Sequence, residues 1–363
     1  MGKYFLFLIL ILIMTSCASV EYMTINVQKP AQITIPLSVR KIAVVNNAGK
    51  QPGDVGHMSI ATGNKEEQVS IDSDSLAIIL TQALAQFMND EGFYESVEPY
   101  NESLRPDESF LSESQIEASA IKQIADAMDV DAIISLDRLI VQSVQKSNYI
   151  GNSLTMESLK ADIAARFRIY SHEGVLIAPL VQFTDSLQWE GIKHGRYLLT
   201  EEGEGKLPTR EAALRESVLY TADQMVKMFI PYWEDQNRWY YTDGNTDMKR
   251  ASVKASGNDW KSAALIWGEL YEKEKSVKKK AKLASNIALA NEMIDDVENA
   301  VNWAQISFDL FSSTYGNIHN QDETSVNKDL LYTGVYLSEL KARLKEFQTL
   351  DVQQGSEIDQ TDE

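Results

Sequence analysis

Residues 40–49 read RKIAVVNNAG. Ile42 to Val45 form a continuous apolar run, closed by Asn46-Asn47 and Gly49. A short run rich in β-branched residues with breakers behind it predicts a buried strand. The segments downstream of this strand decide the fold around it. Residues 49–71 carry glycines, Pro52 and charges and read as a long loop. Residues 71–93 (IDSDSLAIILTQALAQFMNDEGF) place Leu76, Ile79, Leu80, Leu84 and Phe87 at helical spacing, with Asp74 or Ser75 as cap and Gly92 as stop. A second strand is expected over Phe93–Val97. A second helix comes next with Ser112 or Ser114 as cap, and a third, long strand runs from Asp129. This strand–helix alternation implies crossover connections and a partly parallel sheet.

Two further β runs extend the sheet. Ala161, Ile163, Ala165, Phe167 and Ile169 alternate along Ser158–Tyr170, and Gly174–Trp189 returns after a four-residue turn, SHEG. Thr209 then caps a long helix that Pro231 terminates. Residues 33–230 therefore read as one α/β domain with a mixed sheet. Beyond Pro231 the pattern changes. Residues 231–257 form an aromatic-rich junction, and residues 258–348 keep helical spacing without a strand. The stretches GNDWKSAALIWGELYEKE and DDVENAVNWAQISFDLF place small residues alike, with Ala263 and Ala300 separated by 37 positions. That offset is close to the tetratricopeptide period of about 34. The expected fold is thus a mixed-sheet α/β domain followed by an all-α, tetratricopeptide-like domain. An acidic tail without aromatics, residues 349–363, is expected to be disordered.

The N-terminus sets an address. Lys3 precedes an apolar run, Tyr4–Met14, and Thr15-Ser16-Cys17 come directly after it. Eleven helical residues reach about 16 Å, about half of a bilayer's hydrocarbon core. Residues 1–16 therefore read as an export signal rather than a membrane span. Cys17 is the sole cysteine, and it stands where a lipoprotein is acylated. Lipidation at Cys17 with several acyl chains, palmitate among them, would anchor the chain stably. Residues 17–32 would be a tether. By analogy with the sorting of lipoproteins, whose signal this segment resembles, Ala18 in place of Asp favours the outer membrane over the inner one. With the cysteine consumed, no disulfide, thiol catalysis or cysteine-bound zinc is expected.

The net charge of −19 opposes nucleic acid, which needs a basic stripe. Among catalytic signals little is left. His57, His172, His194 and His319 lie far apart in sequence, so no paired-histidine zinc motif forms, and they read as solvated loop residues. Asp72-Ser73-Asp74-Ser75 reads as helix capping rather than a metal site. Gly203 and Gly205 lack the strand and the Lys-Ser/Thr of a phosphate loop. Asp243–Asp247 lacks the distal glutamate of a calcium loop and reads as a turn. No catalytic residue, metal or cofactor is implied. The feature that stands out is Tyr232, Trp233, Trp239, Tyr240 and Tyr241. Such a cluster either glues the two domains together or offers rings to a sugar or a partner protein.

The export signal, the KIAVVNNAG strand, the segment IPYWEDQNRWYYTDGN and the helical ending together resemble a domain-of-unknown-function family of lipoproteins from Gram-negative bacteria. The resemblance covers nearly the whole mature chain and implies no activity or site residues. The expected role is a non-enzymatic protein–protein interaction or scaffolding module, held in the envelope by its lipid and facing an envelope protein partner. The alternative is a glycan-binding or glycan-processing lipoprotein at the cell surface.

Overall fold

The computed structural model describes residues 20–105, 110, 112–195, 197–200, 203–204, 206–316 and 327–355. Cys17 and His319 lie outside the described residues. In chain order the elements are β1 (Val20–Lys29), β2 (Lys41–Asn46), β3 (His57–Ala61), β4 (Lys65–Gln68), α1 (Leu76–Asp90), β5 (Ser96–Ser103), α2 (Ala118–Met128), β6 (Ala132–Gly151), β7 (Leu154–Ser171), β8 (Val181–His194), β9 (Tyr197–Thr200) and β10 (Gly203–Glu204). Then come α3 (Arg210–Phe229), β11 (Tyr232–Tyr241), α4 (Thr246–Ser256), α5 (Trp260–Lys273), α6 (Val277–Glu292), α7 (Val297–Tyr315) and α8 (Lys328–Gln354). The chain divides into two compact units. Of the described residues, a sheet unit holds those from 30 to 232 and from 353 to 355, and a helical unit holds those from 20 to 29 and from 233 to 352.

The sheet unit is a mixed α/β fold. Its nine-stranded sheet runs β10-β9-β8-β7-β6-β2-β5, with β3 joining β6 and β4 joining β3. β2 pairs parallel to β5 on one side and to β6 on the other. β6, β7 and β8 are a long antiparallel meander. The apolar run of β2 is explained by its two neighbourhoods. Ile42 and Val44 enter one core, beneath α1 and α3. Ala43 and Val45 enter the other, beneath α2. A strand covered on both faces has no polar side to show. α3 begins as its sequence implies, with Thr209 Oγ1 accepting from the Ala212 N–H at 3.2 Å. The turn after β7 needs its glycine. Gly174 has φ +79°, and a Cβ there would lie 2.6 Å from Ala118 Cα.

The structure departs from expectation in several places. The loop 49–71 contains the β3–β4 hairpin, and β3 runs parallel to the distal part of β6. α2 starts at Ala118 rather than behind Ser112 or Ser114, with Glu117 as N-cap. His57 is fully buried, not solvated. Its Nδ1 lies 2.9 Å from Ser143 Oγ, and Arg210 donates to the same hydroxyl at 3.1 Å. Burial first, and the Arg210 charge second, hold the imidazole below its ordinary pKa. Folding therefore favours the neutral ring, whose stabilisation is complete above the unfolded value of about 6.5 and is lost as pH falls below it. We expect the melting temperature to fall between pH 7.5 and 5.5, and His57→Gln to flatten that slope. An unchanged slope in the variant would place the titrating group elsewhere.

The helical unit carries α4 to α7 and most of α8, together with a two-stranded sheet of β1 and β11. Residues 17–32, expected as a tether, thus include a strand, and the junction 231–257 is β11 followed by α4. Asn26 Nδ2 donates to Asp235 Oδ1 at 2.8 Å across the strand pair. The tail is shorter than expected. Residues 349–354 continue α8, because the Gln353 amide donates to Ala31 O and accepts from Ala31 N, both at 2.9 Å. Residues 356–363 lie outside the described residues. No described helix is long and apolar enough to cross a membrane.

Helical pairs repeat in the backbone itself. Asn258 and Asp295 both take positive φ, at 61° and 62°. The next residue is in each case an aspartate N-cap, Asp259 for α5 and Asp296 for α7, accepting from the third residue on. The buried sets Trp260, Ala263, Trp267 and Val297, Ala300, Ala304 fall in step at the same 37-residue offset.

Candidate functional site

β2 leads through α1 to β5 on its one side, and β5 leads through α2 to β6 on its other. α1 and α2 therefore lie on opposite faces, and the chain parts at the carboxyl end of β2. Open α/β sheets form their crevices at such a point. A cavity of about 350 Å³ opens here, and its lining includes Asn46, Gln51, Ser73, Ala77, Leu139 and Val141.

Buried amides shape the loop behind β2. Asn46 Oδ1 accepts from the Ala48 N–H at 3.0 Å. Gln51 donates to Val55 O and Val141 O, both at 2.8 Å, and accepts from the Val141 N–H at 2.9 Å. Two of these bonds pin the loop to β6, and the third ties the loop to itself. Asn47 turns to the other face, donating to Asp137 Oδ1 at 3.0 Å and Ser114 O at 2.9 Å. Asp137 also accepts from Ser135 and pairs with Arg168. Glu113 joins Arg138 and Arg166 beside it. Burial would raise the Glu113 carboxyl; the two arginines outweigh it and hold the pKa below the ordinary value.

The opposite wall is the start of α1. The DSDS stretch does not cap as its residue types suggest. Ser75 stands at the N-cap but makes no side-chain cap bond, and the first turn holds no acid. Asp72 Oδ1 instead accepts from the Asp74 N–H, and Asp74 pairs with Lys50. Ser73 is only 8% exposed, and its Oγ is buried without a hydrogen-bond partner. Arg105, equally buried, lines the cavity and donates to Ser112 O and Oγ. Sequence reasoning placed the strand and the helix but not the crevice. Its only local signal is the pair of asparagines at a strand's end.

The cluster of five aromatic residues does not form one surface. Tyr240 and Tyr241 are 2% exposed and enter the helical core. Tyr240 meets the Trp260 and Trp267 rings at 6.1 and 6.0 Å, and Tyr241 donates to Asp329. Trp239 packs on Tyr332 and Tyr336 at 5.8 and 5.6 Å. Tyr232 is half-buried beneath the Lys227 ammonium. Trp233 is 64% exposed. The remaining histidines serve locally. His172 contacts Asp126 and Glu173, and His194 is exposed at the end of β8. Gly203 pairs with Thr200 in β10, and Gly205 lies outside the described residues. Asn245 caps α4 in the turn read from Asp243–Asp247.

The architecture defines a two-unit protein, a mixed-sheet α/β unit with a switch-point crevice and a unit of repeated helical pairs. Residues 39–241 match a family described as a domain of unknown function (DUF8603), more than half of the chain, and the protein belongs to that family. Residues 249–342 match a second domain of unknown function (DUF6340). No curated protein sequence matches the chain. Among solved structures, a minor lipoprotein from Acinetobacter baumannii aligns at 8% identity and a TM-score of 0.24, over 53% of this chain and 91% of its own. A neuraminyllactose-binding hemagglutinin homologue from Helicobacter pylori aligns at 12% identity and a TM-score of 0.26, over 54% and 83%. Both backbones diverge too far from this one to inform its function.

Proposed function

We propose that the protein is a lipid-anchored envelope component that binds other proteins rather than transforming a substrate. Cys17 carries the lipid, and the outer membrane of a Gram-negative cell is the membrane it enters. The helical unit is the tetratricopeptide-like docking module. The observation that carries this reading is the 37-residue repeat of positive φ, aspartate cap and buried trio in α4–α5 and α6–α7. Helical pairs stacked in register offer a continuous surface to a peptide or partner. The absence of histidine, cysteine and nucleophile motifs from the sequence fits a binding role.

Three measurements test it. Cys17→Ser should move the protein from the membrane pellet to the soluble fraction, since a lone protein surface of net charge −19 has no attraction for anionic lipid. Persistence in the pellet would remove the anchor from the account. Mild crosslinking in intact cells should recover a defined envelope protein through the helical unit. Turnover of any cell-wall or polysaccharide substrate by the purified chain would replace the docking reading with an enzymatic one.

A further inference from the structure

We propose that the lysine-rich start of α6 rests on the anionic phosphate headgroups of the membrane that holds Cys17, and so orients the helical unit on that surface. The inference builds on the lipid anchor of the proposed function and adds a contact that the anchor does not itself require.

The first observation is charge. Residues 272–282 read EKEKSVKKKAK, six lysines against two glutamates in a chain of net charge −19. Lys278, Lys279 and Lys280 stand at the start of α6, where the helix's own dipole disfavours cations. α4, α7 and α8 each place an acid in that first turn instead. Lys278 and Lys282 are also four apart, a like-charge pair that weakens an isolated helix. A face built only for solubility would intersperse its signs. Lys275 and Lys279 are exposed, and their ammonium groups make no hydrogen bond or ion pair among the described residues. Lys278 and Lys280 lie over the Tyr315 and Tyr271 rings at 5.4 and 4.5 Å, which leaves their charge in place. The acids beside them are engaged. Asp243 pairs with Lys282 at 2.9 Å, Asp329 accepts from the Tyr241 hydroxyl, and Glu274 accepts from the Lys275 and Ser276 backbone N–H groups.

The second observation is position. The Tyr240 hydroxyl bonds Glu21, Thr24 meets Asn237 and Asn26 meets Asp235. All three pairs fit one antiparallel register, which sets Val20 opposite Tyr241. Tyr241 is bonded through its backbone N–H and C=O to the Asn286 amide, at 2.7 and 2.8 Å. Arg238, earlier in β11, grips Glu292, later in α6. Strand and helix therefore run side by side in opposite directions, and α6 starts beyond the Tyr241 end. Lys279 lies seven residues before Asn286, a rise of about 10 Å. Cys17 lies three residues before Val20, a reach of at most about 11 Å. The acylated cysteine and the lysines thus leave the helical unit on the same side and can meet one plane.

Headgroup phosphates are the occupant that both observations fit. An anionic lipid surface favours each lysine brought to it by about fivefold, and the attraction fades beyond a Debye length of about 8 Å. On its own a chain of net charge −19 is not drawn to such a surface, so the lipid holds the body and the patch orients it.

The test reconstitutes the full lipidated chain into vesicles of phosphatidylcholine, with or without phosphatidylglycerol, and maps its lysines by acetylation at low conversion. With phosphatidylglycerol present, Lys275 and Lys279 should react about fivefold more slowly than on phosphatidylcholine alone. Lys345 is the control. It is exposed, and its neighbour Glu346 binds Lys29 at the far end of β1, so its reactivity should be the same on both vesicles. High salt should erase the difference while the chain still floats with the vesicles. Lys275→Glu with Lys279→Glu should float as wild type does and leave Lys278 equally reactive on both. Equal reactivity of Lys275 and Lys279 on the two vesicles, or equal protection of Lys345, would overturn the inference and leave the anchor standing. Failure of the wild-type chain to float would remove both. Protection seen only in intact cells would assign the patch to an acidic protein partner and overturn the membrane contact.

Discussion

Glu292→Ala is expected to cost the helical unit about 3–5 kcal/mol, the range for breaking a buried ion pair from one side. Glu292 is 1% exposed and Arg238 2%. The guanidinium grips the carboxylate with both arms, Nε to Oε2 at 2.8 Å and Nη2 to Oε1 at 2.9 Å. Arg343 adds a bond to Oε1 and the Tyr336 hydroxyl one to Oε2, both at 2.8 Å. Every lone pair of Glu292 is in use. Its removal leaves two arginines near each other, one of them fully desolvated, with Glu339 alone to answer Arg238. Burial is the largest single influence and would raise the Glu292 carboxyl, but Arg238, Tyr336 and Arg343 together outweigh it, and the group stays below its ordinary pKa. A depressed carboxylate contributes stability above its unfolded pKa of about 4.3, and that stability is lost as pH falls through the folded value. Thermal melts followed at 222 nm should show a drop of about 10–20 °C at pH 7. The difference between wild type and variant should shrink below about pH 4. A variant within 2 °C of wild type at pH 7 would mean that water replaces the carboxylate. The paired change Arg238→Met with Glu292→Leu should recover much of the loss, because it removes both charges together.

This network shows where the sequence is mute. Arg238, Glu292, Tyr336 and Arg343 are more than fifty residues apart at most junctions, and no local pattern couples them. The same holds for β1. Met23, Ile25 and Val27 alternate with polar residues, which is a strand signal a tether reading passes over. The partner strand is out of sight, since Thr24 meets Asn237 at a separation of 213 residues. By contrast β2, α1, α3 and the β6–β7 alternation are legible because each satisfies a local period. The continuous apolar β2 needs cover on both faces, and the alternating β7 needs it chiefly on one. The candidate crevice belongs to the first kind. Its wall residues come from β2, β6 and the start of α1, and only topology brings them together. Ser73 illustrates the point. By type it reads as a helix cap, yet the cap position falls two residues later, and the hydroxyl is left buried without a partner.

Trp267 offers the second large effect, and its two substitutions should part company. The indole is fully buried in the helical core, 6.0 Å from the Tyr240 ring. Trp267→Ala empties that volume and should cost about 3–5 kcal/mol. Trp267→Phe keeps most of the packing and deletes an Nε1–H that is buried without a partner. An unpaired buried donor carries a penalty of about 1–3 kcal/mol, so its loss offsets the smaller cavity, and the Phe variant should melt within about 4 °C of wild type. The repeat explains why one large ring is tolerated here. The position 37 residues on is Ala304, also fully buried, in a cluster with Ala288, Ala300 and Tyr336. There Tyr336 from α8 supplies the bulk that Trp267 supplies in the first pair. Ala304→Trp should therefore destabilise by overpacking, even though it restores the residue its repeat partner carries. A Phe variant as unstable as the Ala variant would show that the indole N–H is satisfied after all. In that case hydrogen bonding, rather than ring volume, would be what fixes α5 in the core.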